Sequence, residues 1–164
     1  MFLKLSKEIL EDADYNKFDD TKGWLYIIAT PIGNFDDITI RSLKLLNFVD
    51  ILLCEDTRKT KKLLKHFKIE HSFLISYNDK NGKIKRPYIL NQLLLNKKVG
   101  LVSDAGTPLI SDPGYKIVQE CYSNNISVAH APGPSSVINA LVLSGLPTHQ
   151  FYFGGFVSSK KAEK

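Results

Sequence analysis

Three charged residues, Glu55, Asp56 and Arg58, follow directly on the apolar run 51–54. Charge at the end of a buried strand is costly unless it faces a crevice, so these residues are candidates for acid–base work or for a structural ion pair. A second polar stretch closes the apolar run 99–103 and reads Ser103-Asp104-Ala105-Gly106-Thr107-Pro108-Leu109-Ile110-Ser111-Asp112-Pro113-Gly114. Asp104 reads either as an acceptor for a ligand hydroxyl or amine or as an Asx-turn residue, and Asp112 as a helix cap. Gly33, Gly106, Gly114 and Gly133 stand where the backbone must turn sharply or meet a ligand closely, although each taken singly reads best as a turn. Ser135 and Ser136 read as helix caps; no nucleophile elbow surrounds them, which argues against a hydrolase. Gly33-Asn34 lacks the rest of a G-x-G-x-x-G fingerprint and no phosphate-loop motif occurs, which argues against nicotinamide and P-loop enzymes. His66, His71, His130 and His149 do not combine with Cys54 or Cys121 into a ligand spacing, so no metal site is expected. His130, inside an apolar run, reads as a satisfied core histidine.

The elements that must position these residues are legible as β-branched runs at 25–30, 51–54, 73–76, 99–103 and 126–131, separated by stretches with helical spacing. The first helix is expected to open on Asp36 and Asp37 as caps and to continue through Leu43, Leu45 and Leu46 to Val49. The second runs from Arg58 to about Phe67, with Lys61, Lys65 and Lys68 on one face and Leu63, Leu64 and Phe67 on the other. The third covers 84–96 with Pro87 in or near its first turn, and 114–123 and 135–144 supply two more. Five alternations of strand and helix predict a three-layer α/β domain with a parallel sheet of about five strands and right-handed crossovers. Every strand runs at once into a loop rich in special residues, including Thr30-Pro31-Ile32-Gly33-Asn34 and Pro132-Gly133-Pro134-Ser135-Ser136. Ligands of open α/β sheets bind beyond the carboxyl ends of the strands, so one edge of the sheet is the expected site.

The whole chain, 164 residues with 43% hydrophobic and 24% charged, excludes disordered and repetitive classes and makes one domain the default. Two cysteines are too few for a disulfide framework, which fits a reduced, cytoplasmic protein, and no apolar run approaches the roughly 20 residues a membrane helix needs. Residues 1–22 carry six acids against four bases and read as an N-terminal extension rather than a targeting signal. Without them the chain has 18 Lys and Arg against 11 Asp and Glu, a balance of +7 against +5 for the whole. That basic excess permits an anionic partner such as RNA.

Four blocks, 25–34, Glu55-Asp56-Thr57-Arg58, 103–114 and Pro132-Gly133-Pro134-Ser135, occur together in this order. In this the sequence resembles the ribosomal small-subunit RNA (16S) cytidine 2′-O-methyltransferases, of the tetrapyrrole-methylase-like class of S-adenosylmethionine enzymes, over about residues 24–161. The resemblance implies sheet order 3-2-4-1-5 and two unlike α/β domains with S-adenosylmethionine in the cleft between them. A ribose hydroxyl of a cytidine in 16S rRNA, free or in the small ribosomal subunit, is the implied acceptor. Pro31, Gly33 and Asn34 match the family's first ligand loop; Ser103, Asp104, Ala105, Gly106, Thr107 and Pro108 match its cofactor loop. Pro132, Gly133, Pro134 and Ser135 match the loop after the fifth strand, and Glu55, Asp56 and Arg58 a charged block on the acceptor side. Lys61, Lys65 and Lys68 are the expected phosphate contacts of the RNA.

Where such enzymes carry a His-Glu-His-Asn-Glu run, this chain reads Asn78-Asp79-Lys80-Asn81-Gly82, and its Gly154, Ser158 and Ser159 stand where Glu, Pro and Arg are commoner. The expected organisation is an extension at 1–22, a cofactor-side domain at 23–149, and at 150–164 a linker or the start of a missing second domain. One wall of the cleft alone is expected to bind the cofactor weakly and to turn over negligibly unless a homodimer mate or a complementary C-terminal chain completes it. The alternatives are a non-catalytic cofactor- or RNA-binding module and a methylase of a tetrapyrrole or protein substrate.

Overall fold

The structure, a computed structural model, describes residues 21–71 and 73–157. The expected extension therefore lies outside the described residues except for Thr21 and Lys22, as do Ser158 and Ser159. Five parallel strands, β1 (Trp24–Ile28), β2 (Ile51–Cys54), β3 (Leu74–Ser76), β4 (Lys98–Val102) and β5 (Ser127–Ala131), form one sheet in the order β3-β2-β4-β1-β5. The helices between and after them are α1 (Ile40–Phe48), α2 (Thr57–His66), α3 (Gly82–Leu94), α4 (Tyr115–Ser123) and α5 (Ser136–Leu143).

Alternation along each central strand divides the core into two layers, as a sheet buried on both faces requires. Leu25, Ile27, Leu53, Val99 and Leu101 point to the side of Ile89 and Leu93 in α3 and Ile117 and Cys121 in α4. Tyr26, Ile28, Leu52, Cys54 and Val102 point to the side of Leu45 and Leu46 in α1 and Leu63 and Leu64 in α2. Gly100 sits on this second side, where a Cβ would come within 2.9 Å of the Leu52 side chain and 3.1 Å of Ile28. The missing side chain lets the layers close over the middle strand.

Several local expectations need correcting. Asp36 and Asp37 do not open α1; they belong to a 3₁₀ turn, Phe35–Asp37, capped by Asn34, whose side-chain oxygen accepts from the Asp36 amide at 3.1 Å. The cap of α1 is Thr39, which accepts from the Ser42 amide at 3.1 Å while the buried Ser42 hydroxyl donates to the Ala29 carbonyl at 2.9 Å. Pro87 lies inside α3 rather than in or near its first turn, because the helix begins earlier, at Gly82; the carbonyl that Pro87 cannot serve belongs to Lys83, an exposed residue. Ser135 holds the N-cap position of α5 without a side-chain bond, and α4 is preceded by Gly114 at φ 139°, so Asp112 does not cap it. His130 is exposed on the edge strand β5 and is no part of the core.

Candidate functional site

The loops that follow β1, β4 and β5 meet on one edge of the sheet and are laced together by short polar contacts. Thr30 and Gly106 exchange backbone hydrogen bonds of 2.9 and 3.0 Å as an antiparallel bridge, and the Thr30 hydroxyl donates to the Ser103 carbonyl at 3.3 Å. Thr107 donates from its hydroxyl to the Pro134 carbonyl at 2.8 Å, tying the second loop to the third. Gly106 has φ 80°, and a Cβ there would lie 3.2 Å from Ile32. At Gly133 a Cβ would come within 2.9 Å of Ala29 Cβ, and Pro108 is fully buried, so these three residues hold the loops in place. Gly33 is different: its φ is 79°, yet a Cβ there would stand in open space. Two non-glycine residues of the same loop, Leu109 and Ser111, are also held at positive φ, 74° and 59°. Left-handed backbone at non-glycine residues costs of order 1–3 kcal/mol each and persists only where surrounding packing fixes it.

The charged block after β2 separates into two roles. Asp56 caps α2, accepting from the Arg58 amide at 2.8 Å, and its carboxylate also pairs with the Arg58 guanidinium at 2.7 Å. The Arg58 bonds hold its carboxyl down at about 2, which makes it a weak base. Glu55 behaves oppositely: burial, then the negative charges of Asp104 and Asp112, push it above the ordinary value. Burial also raises Asp112, with Asp104 adding to the effect and a Ser103 hydrogen bond opposing it. Asp104 joins the two loops, accepting from the Asp56 amide at 3.0 Å and from Lys59 Nζ at 2.8 Å. Its oxygens are thus engaged within the protein, with lone pairs left over for a ligand.

A cleft of about 250 Å³ opens between the first two loops and α2. Pro31 and Gly33 line one side, Ser103, Asp104 and Ala105 the floor, and α2 contributes Lys59, Thr60, Lys62 and Leu63. Lys59, Lys62 and Phe35 escaped the reading of the sequence, although the spacing of the two lysines, one helical turn apart, places them on one face. Lys61 and Lys65 of α2 and Lys68, just past its end, face elsewhere, and Leu64, expected on the opposite face, lies beside them. They line a separate groove of about 510 Å³ with Glu70 and His71, and share no lining residue with the cleft.

Residues 24–164 match the family described as Tetrapyrrole (Corrin/Porphyrin) Methylases. The chain belongs to the tetrapyrrole methylase family. Within it, this tetrapyrrole methylase family member is 48% identical over 139 residues to the ribosomal RNA small subunit methyltransferase I of Hydrogenobaculum sp. (strain Y04AAS1), covering 85% of this chain and 60% of the relative. The Thermotoga maritima protein of the same name is 49% identical over 139 residues, covering 85% of this chain and 62% of its own length. The Rickettsia prowazekii one is 50% identical over 145 residues, covering 85% and 51%. The methylase-family chain thus spans about half to three-fifths of the length of these relatives. Its fold is that of the uroporphyrin III C-methyltransferase from Thermus thermophilus, with a TM-score of 0.55, 18% identity, and 76% of this chain and 53% of that one covered.

Proposed function

We propose that the chain is the cofactor-side part of a cytoplasmic S-adenosylmethionine-dependent methyltransferase that methylates the 2′-hydroxyl of a cytidine in 16S rRNA, free or within the small ribosomal subunit. The observation that carries the reading is the convergence, on one sheet edge, of three laced loops, a partly buried carboxylate of raised pKa and the lysine-rich helix α2. The crowding of Glu55, Asp104 and Asp112 supports a cationic ligand, since each added negative charge there is opposed by the others. Gly33, with open space where a side chain would be, supports close approach of that ligand to backbone. When bound, S-adenosylmethionine supplies an electrophilic methyl group on a positively charged sulfur.

The chain's own part is to hold the acceptor in line and to take its proton. Ser103, Asp104, Ala105 and the backbone around Gly33 hold the cofactor, with Pro31 and Asn34 shaping the first loop and Gly106, Thr107, Pro108, Pro132, Gly133, Pro134 and Ser135 fixing the other two. Glu55 accepts the proton that the ribose hydroxyl gives up, because a carboxylate with a raised pKa is the better base. Asp56 and Arg58 orient the start of α2 instead. Lys61, Lys65 and Lys68 bind phosphates. No helix among the described residues is long and apolar enough to cross a membrane. The exposed apolar face of α5 and 151–157 is where a homodimer mate or a C-terminal domain supplies the second wall. Mass spectrometry of small-subunit rRNA from cells lacking the gene is expected to reveal one missing cytidine ribose methyl group. An unchanged methylation pattern would exclude the reading.

A further inference from the structure

Resting on the reading of the chain as an RNA methyltransferase, we infer that Phe35 and Lys62 form a base-and-phosphate seat for single-stranded RNA at the mouth of the cleft. Phe35 packs beside the end of α2 against the second core layer and lines the cleft. Its ring is held from outside by His66, with ring centres 4.6 Å apart, and by Phe67 at 6.2 Å, neither of which lines the cleft. His66 and Phe67 are themselves in edge contact at 4.8 Å. A half-buried aromatic ring braced on one side and lining a cleft that also holds lysines is a stacking platform, since every nucleobase has a π-face to offer. RNA recognition of this kind depends on an unstacked strand, the form in which a ribose hydroxyl is also accessible.

The charges beside the ring fit the rest of a nucleotide. Lys59 is committed to Asp104, but Lys62, one turn further along α2, lines the same cleft with no acidic partner among the described residues. An ammonium group lining the same cleft as a stacked base pairs with that nucleotide's phosphate as a point charge, without geometric demand. The Lys61, Lys65 and Lys68 groove lies on another face of the same helix. A strand crossing α2 from that groove to the cleft would meet lysines along its whole path, so the cleft seat fixes which nucleotide is presented while the outer groove carries backbone that follows or precedes it.

The test uses the full 164-residue chain, a fluorescently labelled single-stranded RNA dodecamer containing one cytidine, and S-adenosylmethionine titrated separately by calorimetry. Phe35→Leu is expected to weaken RNA binding about tenfold with an unchanged salt slope, because stacking is lost and charge is not. Phe35→Tyr is expected to restore it, and Lys62→Ala to flatten the salt slope while keeping the dependence on the ring at position 35. Cofactor affinity is expected to stay within twofold in all three. Binding of RNA by the unaltered chain with no loss in Phe35→Leu overturns the seat and leaves the methyltransferase reading standing. Loss of cofactor affinity in Phe35→Leu, with RNA affinity kept, assigns the ring to the cofactor and also overturns it. Failure of the unaltered chain to bind RNA at all removes both. Circular dichroism of each variant separates these outcomes from unfolding, and a Phe35→Leu chain that fails to fold passes the decision to Phe35→Tyr, whose loss of RNA binding would overturn the seat, and to Lys62→Ala.

Discussion

At the scale of single residues, neighbouring carboxylates in this chain differ because their surroundings differ. Glu55 is pushed up by burial and by Asp104 and Asp112, whereas Asp56, on the surface, is held down at about 2 by Arg58. The two therefore pull stability in opposite directions with pH. Glu55 favours the fold below its ordinary value of 4.5, and that contribution is lost as pH rises through its raised folded-state value. Asp56 favours the fold above 3.8, and its contribution is lost as pH falls toward 2. Carboxyl-carbon NMR titration of the folded chain is expected to order them accordingly. Asp104→Asn should lower the Glu55 midpoint, because it deletes a like charge and releases Lys59 toward it. A midpoint that does not move would mean that burial alone raises Glu55. The glycines separate in the same way: Gly33→Ala meets no atom and bears only the backbone penalty of about 1 kcal/mol, while Gly106→Val adds a clash with Ile32 and strains the bridge to Thr30. Urea denaturation should rank Gly106→Val as the more damaging of the two.

At the scale of elements, the strands were readable because apolar residues dominate each run, even in β5, where Ser127 and His130 interrupt it, and the sheet order 3-2-4-1-5 came from the resemblance, since the crossover rule alone leaves several orders open. What could not be read was how loops use their polar atoms. Asp36, Asp37 and Thr39 are all good caps by type, and only the buried Ser42, bonded back to Ala29, decides that Thr39 takes the role. Thr39→Ala should therefore cost about 1 kcal/mol in thermal unfolding. Likewise, Lys59 reaches Asp104 across 45 positions of chain, a pairing that no local pattern encodes. The lysine face of α2 was legible from periodicity, and its end holds a cleaner test than charge reversal. Lys68 stands at φ 55°, just past the helix, where the Ile69 amide turns back to the Leu64 carbonyl at 3.0 Å. Glycine suits that position better than any L-residue with a side chain. Lys68→Gly is thus expected to keep or raise the melting temperature while making the salt slope of RNA binding shallower by about 0.7. A slope that stays the same would show that this lysine is only solvated.

At the scale of the whole molecule, the two sides of the sheet are unequal in how they are finished. α1 and α2 close one side, α3 and α4 the other, and α5 buries none of its residues. Val142 and Leu143 are 72% and 84% exposed, and Tyr152 and Phe156 in the following segment 92% and 77%. Val137, Leu141 and Phe151 line an apolar groove with Tyr152 and Phe156, and so much exposed apolar surface in and around it is of a kind that monomers seldom leave uncovered. The fold itself does not depend on that surface, because α5 contributes no residue to either core layer. Leu101, 1% exposed in the middle strand β4, should cost about 2–5 kcal/mol as Leu101→Ala, because its removal leaves a cavity between packed layers. Leu143→Glu should cost no more than about 0.5 kcal/mol if the face is bare in solution. Urea unfolding at two protein concentrations tenfold or more apart distinguishes the states. A bare face gives concentration-independent midpoints for both chains. A face covered by a second copy raises the midpoint of the unaltered chain with concentration, and Leu143→Glu abolishes that dependence, since a buried unpaired carboxylate would have to be desolvated in the pair.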